Sequence, residues 1–362
     1  MVVWSGEPFG DVAGVERWSA KAGCGVEVEV LTYGGILHAL RVPDERGRLA
    51  DVVLSLPDLE SYQEVSPYFG ALIGRYGNRI AGGTFTLDGE TYTLPANDRG
   101  QTLHGGPEGF DRRVWAAEAL PDGAGLRLSL VSPDGDMGFP GEVRVTAVYA
   151  LDDDGTLSLD FEAHTDRATV LNLTSHAYFN LAGAGSGDVL SHTLRVDGDA
   201  YLPIDAVGIP DGPPLPVRGT AFDLTRARGL RAGVASPDRQ VRAVDGFDHC
   251  WVLREAPEPG AARTAAVLHD PESGRTLEVR TSEPGLQVYT ANSLDGSLTG
   301  PDGHRYGPHG AVCLEPQHFP DSPNRADFPS TVLRPGEVLR SRMELRFPHL
   351  SAEADPVDGE GR

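Results

Sequence analysis

Residues 84–94 read TFTLDGETYTL, two alternating apolar and polar runs on either side of Asp88-Gly89. Alternation at period two suits a half-buried strand, and Asp-Gly tolerates the positive φ angles of a tight turn. This stretch therefore predicts an antiparallel hairpin. The same pattern recurs on both sides of it. Residues 26–30 read VEVEV, and residues 142–165 hold two alternating runs around the turn at 152–155. Residues 194–202 repeat the arrangement around Asp197-Gly198, predicting a further hairpin, and 267–281 and 338–347 continue the series. Strand after strand joined by turn residues predicts an all-β fold, a large antiparallel β-sandwich with few short helices. The best helix signal is itself short, at residues 58–64.

Composition agrees. Gly 45 and Pro 28 are scattered through 362 residues, which interrupts long helices, and a hydrophobic content of 40% is enough to build a sizeable core. No segment reads as a linker. The Pro-rich stretch 203–217 predicts a long surface loop, because the strand pattern resumes beyond it. Residues 1–350 are therefore expected to form a single domain, and the acidic, small-residue segment 351–362 a disordered tail. No fixed-period repeat is present.

Charge and residue usage exclude several functions. A formal net charge of −22 repels phosphate backbones and anionic lipid, so neither nucleic acid nor a membrane is an expected partner. Lys21 is the only lysine and follows no glycine-rich phosphate loop, which removes Schiff-base and P-loop chemistry. Cys24, Cys250 and Cys313 are odd in number and far apart, so no disulfide framework is visible. No basic segment leads into an apolar stretch at the N-terminus, and no apolar run reaches membrane-spanning length, so a cytoplasmic protein is expected.

Familiar motifs fail in turn. GAGSG at 183–187 would need glycine at Ala184 to make a nucleophile elbow. Asn172-Leu173-Thr174 matches a glycosylation acceptor by chance, without a secretion signal to use it. No His/Cys spacing makes a recurring ligand pair and no dinucleotide fingerprint follows a strand, so neither a metal nor a cofactor is expected.

What remains are polar clusters in turn-rich sequence: GRYGNRI at 74–80, LHGGPEGF at 103–110, NLTSHAYFNL at 172–181, GFDHCWVL at 246–253 and CLEPQHFPDSPN at 313–324. Taken singly, each has an ordinary explanation, since a strand histidine is usually a hydrogen-bonded core residue and a glutamate near a turn is usually solvated. Taken together, Asn, Arg, His, Asp, Gln and Glu amid glycines and aromatics are what a carbohydrate pocket needs, with paired donors and acceptors for hydroxyls and rings for the C–H faces of a pyranose.

In these segments, together with VRGTAFDL at 217–224 and LQVYTAN at 286–292, the sequence resembles the aldose 1-epimerases, or galactose mutarotases. The resemblance runs in order from about Gly23 to Phe347. It implies the galactose mutarotase-like supersandwich and interconversion of the α and β anomers of free aldohexoses such as galactose and glucose. It also implies roles: Glu315 as catalytic base, His176 as catalytic acid, and Asn78, Arg79, His104, Asp248 and Gln287 as sugar-binding residues. Arg75 reads as structural support. Gly77, Ser175 and Pro316 stand where the family more often has Ala, Asn and Thr. The reaction then requires an ionised Glu315 and a protonated His176, whose pKa an acidic protein is expected to raise. A non-catalytic sugar-binding or sensor protein on the same fold, a sugar-phosphate 1-epimerase and a glycosidase are the alternatives. The preferred sugar and the oligomeric state stay open.

Overall fold

In the computed structural model, which describes residues 2–258 and 260–350, the Asp88-Gly89 turn forms as its residue types dictate. Both residues sit at positive φ, 52° and 86°, and close Thr84–Leu87 against Glu90–Thr93 in antiparallel register. The tail predicted at 351–362 lies outside the described residues.

Strands dominate, and every pairing between named strands is antiparallel. They make a nine-stranded, a six-stranded and a five-stranded sheet, with several two-stranded ribbons between them. The described α-helices number three, of five or six residues each. The predicted one is Leu59–Glu64, capped by Asp58, whose carboxylate accepts from the Ser61 N–H. Leu230–Val234 and Arg239–Ala243 were not foreseen, being too short to show helical periodicity.

The hairpins expected at 142–165 and 267–281 are present, the first as Val143–Leu151 paired with Leu157–Thr165, the second as Arg263–His269 paired with Thr276–Thr281. The hairpin expected at 194–202 is not. Thr193–Val196 pairs within the nine-stranded sheet, whereas Gly198–Tyr201 pairs with Asp248–Leu253 in the six-stranded sheet. Neither Asp197 nor Gly198 adopts the positive φ that a two-residue hairpin needs, so the turn carries the chain from one sheet to the other. Gly198 is required there for closeness, because a Cβ would lie 2.7 Å from the Val252 carbonyl oxygen. The stretch 203–217 is largely the predicted loop, but its end, Leu215–Pro216, adds an edge strand to the six-stranded sheet.

The main core draws on all three large sheets, with Val28 and Leu40 from the five-stranded one, Val145 and Leu159 from the nine-stranded one, and Trp251, Leu286 and Leu314 from the six-stranded one. No helix among the described residues is long and apolar enough to cross a membrane.

Candidate active site

The six-stranded sheet runs Tyr178–Phe179, Val312–Gln317, Gly285–Tyr289, Asp248–Leu253, Gly198–Tyr201, Leu215–Pro216 in spatial order. Alternation sends Leu314, Leu286, Val288 and Trp251 into the main core. Glu315, Gln287 and Asp248 therefore share the other face. Glu315 lies directly opposite Gln287, and Gln287 donates from Nε2 to Asp248 Oδ1 at 2.7 Å. The Tyr178–Phe179 strand pairs only with Val312 and Cys313, so that side of the strand is open at Pro316, where a missing N–H is tolerated. Pro316 thus leaves Glu315 in register.

His176 comes from the crossing between the short strands Thr174–Ser175 and Tyr178–Phe179. Its backbone is held on both sides, its N–H donating to the Ala71 carbonyl and its own carbonyl accepting from the Gly70 N–H. The imidazole stacks on Tyr178 with centroids 5.0 Å apart, and its Nε2 stands 3.7 Å from Glu315 Oε2.

Asn78 and His104 are interlocked. Both take positive φ, the His104 N–H donates to the Asn78 carbonyl, and the Asn78 N–H donates to His104 Nδ1 at 3.1 Å. Gly105 is what allows the approach, since a Cβ there would lie 2.1 Å from the Gly74 carbonyl oxygen. The Asn78 bond fixes the tautomer: a neutral His104 that accepts at Nδ1 carries its proton on Nε2 and acts as a donor. Arg79 donates from Nε to Asp98 Oδ2 at 2.7 Å.

Asn78, Arg79, His104, His176, Asp248, Gln287 and Glu315, all singled out from the sequence, thus line one cavity of about 440 Å³. Tyr68, Tyr178 and Tyr289 add aromatic walls, and Asp98, Arg99, Asp245, Asn292 and Ser293 complete its rim. Tyr178 lies inside a segment already marked by its aromatics. Tyr68 and Asp98 carry no signal of that kind and reach the cavity only through the fold. Arg75 lies outside the cavity, buried, its guanidinium donating to the Ser132, Pro133 and Pro140 carbonyls and to Ser132 Oγ, which is structural support.

Burial sets the electrostatics. Desolvation pushes the Glu315 carboxyl well above its usual range, with the negative charge of Asp248 adding to the rise and Arg79 opposing it. The same desolvation lowers His176 to about 4, opposed in part by Asp248. The acidic surface therefore does not raise His176 as expected: its ring is shielded from that charge and loses its water. His104 falls well below its usual value for the same reason, with His176 and Arg79 contributing. Burial thus disfavours the charged form of all three groups. The His176 Nδ1, Glu315 Oε2 and Gln287 Oε1 atoms are buried with no protein partner.

Ligand atoms of His104, His176 and Glu315 fall within 4.8 Å of one another, a set that invites a metal. The tautomer argues against it. For Nε2 of His104 to bind a cation it must lose its proton, and Nδ1–H would then face the Asn78 N–H. The donor set fits a polyhydroxylated ligand better than an ion.

Comparison with known proteins agrees with this geometry. The family model for aldose 1-epimerase matches residues 16–346. Rat galactose mutarotase is 45% identical over 322 residues, covering 89% of this chain and 91% of the relative. The chain belongs to the aldose 1-epimerase family. Aldose 1-epimerase of Escherichia coli is 38% identical over 325 residues, covering 89% and 92%. Among solved structures, the GalM/aldose epimerase homologue from C. elegans superposes with a TM-score of 0.84 at 27% identity, covering 92% of this chain and 98% of that one. Galactose 1-epimerase from Lactobacillus acidophilus gives 0.81 at 28%, covering 96% and 98%. The supersandwich expected from the resemblance is thus present, and the chain is an isomerase of the mutarotase kind, acting on small sugars.

Proposed function

We propose that residues 1–350 work as one cytoplasmic domain that interconverts the α and β anomers of free aldohexoses such as galactose and glucose. Glu315 is the base and His176 the acid. Anomer exchange breaks the C1–O5 bond as one group takes the proton from the C1 hydroxyl and the other delivers a proton to O5. Rotation about C1–C2 presents the other face of the aldehyde, and reclosure reverses both transfers. The observation that carries this reading is the Glu315–His176 pair, 3.7 Å apart, both buried and lining one cavity with Arg79 and Asp248.

The neutral pair and the ion pair contain the same proton. Burial favours the neutral form, which matches the open-chain sugar: the glutamic acid has received the C1 proton and the imidazole has given up its own. The closed sugar calls for the ion pair. Asp248 favours the His176 imidazolium, whereas at Glu315 it opposes the carboxylate more than Arg79 favours it, so the flanking charges offset desolvation at the acid and not at the base. A sugar hydroxyl donating to the unpartnered Glu315 Oε2 favours its carboxylate. The chemistry requires no metal, redox group or covalent nucleophile.

Asn78, Arg79, His104, Asp248 and Gln287 bind the remaining hydroxyls, and Tyr68 and Tyr289 line the ring. The cavity offers Asp98, Asp245, Asp248 and Glu315 against Arg79 and Arg99, and Asp98 already engages both arginines. That balance favours a neutral sugar over a phosphorylated one and argues against a sugar-phosphate epimerase. An acid–base pair also argues against a passive sensor, and a histidine in place of the second carboxylate against a glycosidase.

Polarimetry with freshly dissolved α-galactose, α-glucose and an aldose 6-phosphate tests this. Rapid equilibration of the free sugars, with kcat/KM for the phosphate lower by at least ~10-fold, is the expected result, since an unpaired charge brought into an acidic site is strongly disfavoured. Equal rates on the phosphate, or no acceleration of the free sugars, would overturn it.

A further inference from the structure

Asn172, dismissed above as a chance glycosylation match, is 1% exposed and joins the segments that carry the chemistry. It lies four positions before His176 on the same crossing segment. Its own N–H donates to the Arg75 carbonyl at 2.9 Å, and its carbonyl accepts from the Gly77 N–H at 2.8 Å, next to Asn78. The carboxamide then reaches in two directions. Nδ2 donates to the Gly77 carbonyl at 3.0 Å and to the His318 carbonyl at 3.3 Å, while Oδ1 accepts from the His318 N–H at 3.0 Å. His318 follows the Val312–Gln317 strand that presents Glu315. Its side chain is anchored separately, Nδ1 meeting Glu283 Oε2 at 2.6 Å.

We propose that Asn172 is a positioning residue that holds the acid, the base and the sugar-binding arm at their working separations. One amide satisfies backbone groups on both sides: it reinforces the two backbone bonds that tie Asn172 to Arg75 and Gly77, and among the described residues it makes the segment's hydrogen bonds to His318. The elements concerned are short: Thr174–Ser175 and Arg79–Ile80 are two-residue strands, each with a two-residue partner. Short strands have few bonds of their own to set a distance, so the amide sets it. The carboxamide is well suited to this work because it offers donors and an acceptor from one planar group. An aspartate offers acceptors only, and would turn an oxygen toward the Gly77 and His318 carbonyls. Since Asn172 touches neither the reacting atoms nor the cavity, it acts through Glu315 and His176. The proposal therefore rests on their assignment as base and acid.

The test is steady-state polarimetry of Asn172→Ala and Asn172→Asp on α-galactose, beside melting curves. A control is Val145→Ala, a core truncation in the nine-stranded sheet. The expected result for both Asn172 variants is a fall in kcat of about 10²-fold, the cost of misplacing reacting groups by roughly 1 Å, with KM changed less than about threefold. Val145→Ala is expected to lose thermal stability and keep its kcat. If Asn172→Ala does not fold, Asn172→Ser carries the same measurement. Unchanged kcat in folded Asn172 variants, or a rise in KM alone, would overturn the proposal. A Glu315→Gln variant that stayed active would instead overturn the role assignment beneath it, so the two failures are distinguishable.

Discussion

The strands Val143–Leu151 and Val312–Gln317 belong to different sheets and treat their polar residues in opposite ways. In the nine-stranded sheet, Val143, Val145, Ala147, Tyr149 and Leu151 are buried while the residues between them face outward. Charges on that outer face meet across strands, Arg342 with Asp160 and Arg340 with Glu162, in contact with water. In the six-stranded sheet every residue of Val312–Gln317 is buried, yet one face still presents Glu315 and Gln317. A charge on the wet face is solvated and contributes little to anything. A charge on the second dry face has its protonation shifted and its lone pairs left for a ligand. The candidate site sits where the sheet buries both faces and still keeps its polar residues.

The largest effect that can break this contrast is at the buried pair. Glu315→Gln and His176→Asn should each lower kcat by about 10²–10⁴-fold, the usual contribution of a general acid or base. Both should remain folded, because burial already favours the uncharged form of each group. Near-normal turnover in either variant, measured by polarimetry, would remove it from the mechanism. A smaller effect is the pH profile. With His176 lowered to about 4 in the free enzyme, its imidazole is neutral above that value and takes up a proton only near and below it. kcat/KM should therefore hold level from neutral pH down to about 4 to 5 and then fall. An acid limb centred near the ordinary histidine value of 6.5 would show that the ring is not desolvated. The smallest effect is on the wet face. Arg144 pairs with Glu142 at 2.6 Å, but its side chain is 67% exposed, and Arg144→Ala should change unfolding free energy by less than about 0.5 kcal/mol in denaturant melts.

Much of this was legible in the sequence, and for stated reasons. Asp88-Gly89 marked a hairpin because few other residue pairs accept two positive φ angles. Asp197-Gly198 looked the same and was misread, since the residues permit a tight turn without requiring one. What decided between hairpin and crossover was the partner each strand found, 266–269 for one and 251–253 for the other. The polar clusters were legible as groups because His, Asn, Arg and Glu are unusual inside apolar, turn-rich runs. Asp98 and Tyr68 were not, because a loop aspartate and a lone tyrosine look the same wherever they lie.

The sequence by itself determined the strand-rich architecture and the residue types of the pocket, since alternation, turn chemistry and the oddity of buried polar groups are local properties. The family resemblance put roles to those residues. Only the tertiary structure decided their condition. It set His176 3.7 Å from Glu315, locked the proton of His104 through the Asn78 N–H, and lowered the histidine that an acidic composition was expected to raise. Net charge acts through water, whereas a pKa in a closed pocket answers to lost solvation and to the few charges beside it, and those distances exist only once the sheets are packed.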